Sequence, residues 1–356
     1  MLKIILSGGG TLGSVSPLIA IFEEFKNQGY ECEFLWVGTS NGPEIEFVAQ
    51  YNIPYVSIPS GKFRRYIAIQ NFFDPLIIFF GFVKSIFIIS RFKPSIILSA
   101  GGFVSVPLVF AGWLLRVPCL IHQQDARRGL ANRFMAPFAK KITVTLEKSL
   151  KDFNIKKTAH TGNPVRKDLV FLDTQKAFEY FGLAKDVPVV LVLGGGTGAA
   201  TINSLVLNSL QSIVEYCQII HSTGHGKMNV EAKHSRYKSF EFLSAEDLKM
   251  AYACADLVIS RAGMSTLTEL AYLGKPTILI PIPNGHQEEN AYEFGRYNAC
   301  EILNQQELDP KSFSDIIKDI LFDSAFMHDI ARNIGKVMPR DASERVVNEI
   351  MKIIKK

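Results

Sequence analysis

MLKIILSGGGTLGSVSP, residues 1–17, reads as a strand, a glycine turn and the start of a helix in immediate succession. Residues 3–6 are apolar and β-branched enough for a buried strand. Gly8-Gly9-Gly10-Thr11-Leu12-Gly13-Ser14 follows as a turn whose backbone can approach a ligand closely. Ser16-Pro17 then supplies an N-cap and a proline at the first helical position. The succession is the opening of a Rossmann-like unit. The turn formally contains GxGxxG, but a dinucleotide site also wants an acidic residue ending the second strand to hold a ribose. That strand ends Trp36-Val37-Gly38-Thr39, so the nicotinamide reading loses its anchor. A strand this close to Met1 leaves no room for a signal peptide, and the expectation is a cytoplasmic protein.

The same rhythm continues outward. Short β-branched runs at residues 33–37, 95–98, 118–121 and 142–145 alternate with longer helical patterns, which implies βαβ units and a parallel sheet. It restarts at 187–193, 218–221, 257–259 and 277–280. An α/β protein of two Rossmann-like domains follows, as 356 residues allow. The junction is expected at Gly162-Asn163-Pro164, giving domains of residues 1–163 and 164–340. Residues 342–355 have helical spacing, and a terminal helix within 341–356 is expected to pack back on the first domain.

Composition narrows the chemistry. A hydrophobic fraction of 47% with 21% charged residues describes a folded chain without a disordered tract. Cys32, Cys119, Cys217, Cys254 and Cys300 lie far apart with no metal-ligand spacing, and read as core thiols of a reducing compartment. Residues 1–166 carry 19 Lys/Arg against 10 Asp/Glu, so the first half is the basic half. That charge suits anionic lipid or phosphorylated ligands, and no nucleic-acid fingerprint accompanies it.

Residues 76–89, LIIFFGFVKSIFII, follow Pro75 and contain Lys84, with Arg64, Arg65, Arg91 and Lys93 nearby. A spanning helix needs about 20 mostly apolar residues, so this stretch is expected not to span. A buried core helix and an interfacial helix pressed on an anionic leaflet both remain open, the mixture of aromatic and basic residues favouring the second.

Several turns fall where parallel sheets bind ligands. Ser99-Ala100-Gly101-Gly102-Phe103-Val104-Ser105 and His122-Gln123-Gln124-Asp125 end strands at the edge that carries the first turn. His122 alone would read as structural, but three polar loops are expected to converge there. In the second half, Leu193-Gly194-Gly195-Gly196-Thr197-Gly198-Ala199 and Ser260-Arg261-Ala262-Gly263-Met264-Ser265-Thr266 each end a strand and open a helix, offering backbone amides to phosphate. Glu269, one turn further on, can accept two hydrogen bonds from a ribose. Ordinary capping chemistry is the plainer alternative for both turns.

GGGTLGSVSPLIA, SAGGFVSVPLVFAGWLL, GNPVR at 162–166, GGGTGA, SRAGMSTLTEL and HQEENA at 286–291 stand in the order seen in the MurG family of lipid-linked-sugar transferases, which the chain resembles over nearly its whole length. The resemblance implies a GT-B fold, two Rossmann-like domains with parallel sheets facing a central cleft. It implies inverting transfer of N-acetylglucosamine from UDP-N-acetylglucosamine to lipid I, an undecaprenyl-diphosphate-linked muramyl peptide. The product would be lipid II for the cell wall, and hence for cell shape and division. The first domain would take the acceptor at the anionic cytoplasmic face of the membrane as a peripheral protein, and the second the donor. No cofactor or metal is implied, and no Asp-x-Asp appears.

By the same resemblance, Glu269 binds the donor ribose and Met264, Ser265 and Thr266 offer amides to the diphosphate. Arg166 neutralises charge as UDP leaves, Gln287 and Asn290 hold the sugar, and Phe242 with Leu243 flanks the uracil. Thr11, Gly13, Asn163, Gly196 and Thr197 complete the substrate contacts. The chain departs from the family at Ser14, where a histidine is usual, and at His122-Gln123-Gln124-Asp125, where His-Glu-Gln-Asn is usual. In the donor loop, Gly195-Gly196-Thr197-Gly198-Ala199 replaces Gly-Gly-Ser-Gln-Gly-Ala. Deprotonating the acceptor hydroxyl needs a titratable group, which Ser14 is not, so Asp125 is the expected base and His122 the alternative. A relative with another lipid acceptor, a nucleotide-sugar epimerase, and a catalytically silent UDP-sugar binder stay open as rivals.

Overall fold

The computed structural model describes residues 1–61, 70–170, 173–194 and 199–355. It divides into two compact units, Met1–Arg166 with Pro339–Lys356, and Lys167–Met338. The first runs β1 (Leu2–Ser7), α1 (Ser16–Asn27), β2 (Cys32–Gly38), α2 (Glu44–Ala49), β3 (Tyr55–Ser57), α3 (Gln70–Phe92), β4 (Ile96–Ser99), α4 (Ser105–Leu114), β5 (Cys119–Gln123), α5 (Leu130–Met135), β6 (Lys141–Val144) and β7 (Thr158–His160). The second runs α6 (Thr174–Phe181), β8 (Val189–Leu193), α7 (Ala200–Asn208), α8 (Leu210–Ile213), β9 (Gln218–Ser222), β10 (Tyr237–Phe240), α9 (Ala245–Cys254), β11 (Leu257–Ser260), α10 (Met264–Leu273), β12 (Thr277–Leu279), α11 (His286–Gly295), β13 (Glu301–Ile302), α12 (Pro310–Phe322) and α13 (Ser324–Ile334). The last helix, α14 (Ala342–Ile354), belongs to the first unit.

Both sheets are parallel. The first orders its strands β3-β2-β1-β4-β5-β6-β7 and the second β10-β9-β8-β11-β12-β13. In each, the order reverses between two central strands, β1 and β4 in one and β8 and β11 in the other. The connecting loops diverge there and leave a crevice beyond the strand C-termini.

Alternation along β1 sends Ile4 and Leu6 to one face and Ile5 to the other, and each face is buried. On the first face Ile4, Leu6 and Trp36 pack with Leu18 and Phe25 of α1 and with Val346, Val347 and Ile350 of α14. Lys141 Nζ and Glu349 meet at 2.7 Å across the edge of that contact. On the second face Ile5, Val37 and Ile97 pack with Ile89 of α3 and Leu108 of α4.

Helix α3 is 23 residues long, where the sequence suggested a 14-residue apolar stretch beginning after Pro75. Pro75 sits in the second turn, where its missing N–H forfeits a single intrahelical bond, so it does not mark the helix start. Asp74–Phe92, 19 residues of mean hydropathy 1.8, is long and apolar enough to cross a membrane by length and composition. Its inner side is committed to the domain: Ser85 and Ile89 are buried, and a Cβ on Gly81 would lie 2.2 Å from the Pro59 carbonyl. Leu76, Phe79, Phe80 and Phe87 are each more than half exposed.

Both tryptophans, Trp36 and Trp113, lie in the first unit, so their fluorescence reports that unit alone. Ile350→Ala, which empties a fully buried site shared by α14 and the sheet, is predicted to cost the first unit about 2–5 kcal/mol. A urea titration followed by tryptophan emission should show the lowered midpoint; an unchanged midpoint would mean α14 is not part of that core.

Candidate active site

At the β1–β4 crevice the two glycine turns touch. Gly10, Gly101 and Gly102 take φ of +81°, +96° and +87°, which only glycine adopts without strain. A Cβ on Gly102 would lie 3.0 Å from the Gly9 carbonyl. Ser105 Oγ accepts from Ser7 Oγ at 3.0 Å and lies 3.0 Å from the Ser7 and Gly101 carbonyls, fastening the start of α4 to both turns. The third loop joins them, since Gln124 Nε2 donates to Ala100 O at 3.1 Å. The structure therefore brings the three expected loops together.

Within these loops the predicted residues differ in accessibility. Ser14 is turned inward, its Oγ accepting from Gly9 N at 3.1 Å. Gln123 is a fastener too: its Nε2 donates to Asp125 O and Arg127 O, and its Oε1 accepts from Asn132 Nδ2 at 2.8 Å. Asp125 is half-buried on the loop so shaped, while Thr11 is exposed and Gly13 half-exposed.

His122 is fully buried. Its Nε2–H donates to Asn163 Oδ1 at 2.8 Å, leaving Nδ1 to accept from the Thr143 hydroxyl at 2.9 Å. Burial drives its pKa down to about 4, against the smaller opposing effect of the Asn163 bond. A neutral imidazole with both nitrogens engaged joins β5 to the 162–166 segment and has no free nitrogen for a proton from outside. Arg166 is buried at the end of that segment, with Nη1 3.3 Å from the Tyr51 hydroxyl.

In the second unit, β11 ends in the Arg261–Gly263 turn and α10 begins at once. Gly263 has no side chain to cap the helix, and the amides of Met264, Ser265 and Thr266 lie in the first turn, where no helical acceptor exists. The turn is pinned on two sides. Asn290 Nδ2 donates to Ala262 O at 3.0 Å, and Arg261 Nη1 donates to Ile280 O at 2.7 Å and Gln305 Oε1 at 2.8 Å. Glu269, largely buried, accepts from the Tyr252 hydroxyl at 2.9 Å through Oε2. Gln287 Oε1 accepts from Ile282 N at 3.2 Å. Leu243 is buried, and the partly exposed Phe242 stacks on His225 with centroids 5.6 Å apart. Gly196 and Thr197 lie outside the described residues.

Glu44, Tyr252 and Arg261 were not singled out from the sequence. Each has a partner far along the chain: Glu44 reaches Gly10 across 34 residues, Tyr252 reaches Glu269 across 17 and Arg261 reaches Gln305 across 44. Only the Gly42-Pro43-Glu44 helix start gave any local signal.

Two parallel Rossmann-like sheets, each with a ligand-type turn at its switch point, are the architecture of GT-B proteins. Residues 4–144 match the glycosyltransferase family 28 N-terminal domain and residues 189–346 the glycosyltransferase family 28 C-terminal domain. The Clostridium kluyveri UDP-N-acetylglucosamine–N-acetylmuramyl-(pentapeptide) pyrophosphoryl-undecaprenol N-acetylglucosamine transferase is 35% identical over 99% of both chains. The Clostridium perfringens enzyme of the same name is 37% identical over 89% of this chain and 90% of its own. The chain belongs to this MurG family of transferases. In fold it is similar to the crystal structure of Acinetobacter baumannii MurG, with a TM-score of 0.74 at 23% identity over 99% of this chain and 100% of that one. It is also similar in fold to the UDP-GlcNAc 2-epimerase from Neisseria meningitidis, with a TM-score of 0.73 at 12% identity over 99% of this chain and 100% of that one.

The buried histidine makes a pH prediction. Folded His122 releases its proton near pH 4 and an unfolded one near 6.5, so between these values the unfolded chain holds more protons. The first unit should therefore lose stability as the pH falls from about 6.5 toward 4, by up to about 1.4 kcal/mol per pH unit from this residue. Urea midpoints read by tryptophan emission at pH 7 and pH 5 should differ more in the wild type than in His122→Gln; equal differences would show that His122 charges freely in the fold.

Proposed function

We propose that the protein transfers N-acetylglucosamine from UDP-N-acetylglucosamine to the 4-hydroxyl of an undecaprenyl-diphosphate-linked muramyl peptide, with inversion, forming lipid II for peptidoglycan. Full-length identity with enzymes named for this transfer carries the reading. The donor diphosphate lies against the first-turn amides of α10, whose dipole favours negative charge. Glu269, oriented by Tyr252, accepts hydrogen bonds from the ribose, and Leu243 with Phe242 covers the uracil. Gly196, Thr197, Gln287 and Asn290 serve the donor sugar and its phosphates. As the glycosidic bond breaks, the amides and Arg166 stabilise the charge that grows on UDP.

On the acceptor side Thr11, Gly13 and Asn163 shape the pocket and Asp125 takes the proton of the attacking hydroxyl. Asp125 is preferred because it is accessible where His122 and Ser14 are not. Its carboxylate can hold a proton briefly and pass it to water. The exposed apolar side of α3, with Lys84 and Arg91 also exposed, rests on the anionic cytoplasmic surface of the membrane as a peripheral contact.

Incubation with UDP-N-acetylglucosamine and a short-chain lipid I analogue, followed by mass analysis, tests the reading. The wild type should add one N-acetylhexosamine. Asp125→Asn should lower kcat by about 10²- to 10⁴-fold with the donor KM little changed. Retained activity in that variant would remove Asp125 as base, and a wild type that binds UDP but never transfers would leave a silent binder.

The membrane contact has its own test. Phe79→Ser with Phe87→Ser, both on the outer side of α3, should weaken sedimentation with anionic vesicles by about tenfold or more and leave UDP affinity intact. Wild-type binding should also weaken with salt. Vesicle binding equal to the wild type would place the contact elsewhere.

A further inference from the structure

Glu44 is a fully buried carboxyl group beside the first glycine turn. Burying such a group is costly unless donors surround it. Its Oε1 accepts from Thr39 N at 2.9 Å and Thr39 Oγ1 at 2.5 Å, and its Oε2 accepts from Gly10 N at 3.1 Å. Tyr55, which donates to Thr39 O at 2.6 Å, closes the far side with its hydroxyl 3.4 Å from Oε1. The chain leaves room for this carboxylate: a Cβ on Gly9 would lie 2.2 Å from Oε1 and one on Gly42 1.9 Å from Oε2.

We infer that Glu44 is a positioning residue for the acceptor, holding the first glycine turn in the shape the acceptor meets. The inference rests on the transfer proposed above. In glycine turns that bind phosphate the successive amides point at the anion. Here the Gly9 amide is taken by Ser14 Oγ and the Gly10 amide by Glu44 Oε2, so the shape of the turn is set from behind by these two side chains. What the turn presents outward is Thr11, exposed and in extended conformation one residue after Gly10 at φ +81°. The direction of Thr11 follows from the Gly10 backbone, and Glu44 holds that backbone.

The two carboxylate oxygens separate this role from mere stability. Oε1 ties α2 to the end of β2 through Thr39, and Oε2 accepts the hydrogen bond from the turn. Glutamine has a single acceptor oxygen. Keeping it on the two Thr39 donors sets its NH2 against the Gly10 N–H, so Glu44→Gln releases the turn. Thr39→Val does the reverse, removing the hydroxyl bond to Oε1 and leaving Gly10 held.

The test uses the full chain with UDP-N-acetylglucosamine and a short-chain lipid I analogue, beside hydrogen exchange of peptides covering residues 8–14. Glu44→Gln should lower kcat/KM for the acceptor by about 10- to 100-fold, the scale of an ångström-sized misplacement. The donor KM should stay within about twofold, and exchange across residues 8–14 should quicken. Thr39→Val should lower the thermal midpoint while leaving the acceptor constants within about twofold. Unchanged acceptor constants in Glu44→Gln, or an equal loss in Thr39→Val, would overturn the inference. Should the wild type transfer nothing, the proposed function fails and Glu44 is judged by exchange alone, where an unaltered rate over residues 8–14 overturns it. If Glu44→Gln does not fold, Glu44→Asp, which draws both oxygens back by one methylene, carries the same comparison.

Discussion

Parallel pairing is the constraint from which the rest follows. When all strands run one way, every C-terminal end lies on the same edge, and each return must cross a face of the sheet. Right-handed crossovers then couple direction to face. From β1 the chain moves outward to β2 and β3, and α1 and α2 pack on one side; from β3 it returns the opposite way through α3 to β4 and on through α4 to β5, and α3 and α4 pack on the other. Where the two directions part, no crossover covers the edge. That gap is where residues 8–10 and 100–102 meet, so the site is a consequence of strand order before any side chain is considered.

Keeping polar loops in place at such an edge requires buried fasteners, and both units use the same kind. His122 spans from β5 to Asn163 and Thr143; His221 spans from β9 to Asn203 on α7 and Tyr237 on β10. Asn203 Nδ2 donates to Thr223 O, which sets its Oδ1 toward His221. Burial holds both imidazoles neutral, each with a pKa of about 4. A neutral imidazole donates once and accepts once, so each links two partners without burying a charge. A lysine or arginine there would fasten as well only by leaving a buried cation to be neutralised.

The sequence made the central strands legible because each carries a largely unbroken apolar run buried on both faces. Residues 33–37 became Cys32–Gly38, and 257–259 became Leu257–Ser260. The edge strands Tyr55–Ser57, Thr158–His160 and Tyr237–Phe240 escaped notice because they are short and only part-buried, so no unbroken apolar run marks them. The glycine turns were legible as turns, since a positive φ needs glycine. What fills them was not. Glu44 reaches Gly10 across 34 residues and Arg261 reaches Gln305 across 44, and nothing local distinguishes such a residue from an ordinary helix start or a surface cation.

The same geometry gives Ser14 and Gln123 a structural part in their loops. Each has polar atoms engaged by the backbone of its own loop. A serine hydroxyl bonded to Gly9 N braces the first turn. A glutamine, with a donor and an acceptor end, can grip Asp125 O and Arg127 O with one and Asn132 with the other, which a carboxylate, having no donor, cannot do. Gln123 therefore fixes the backbone of the loop that displays Asp125. A hydrogen-bonded clamp at the base of the loop thus sets the backbone that carries Asp125, and Asp125 is half-buried there rather than enclosed like His122.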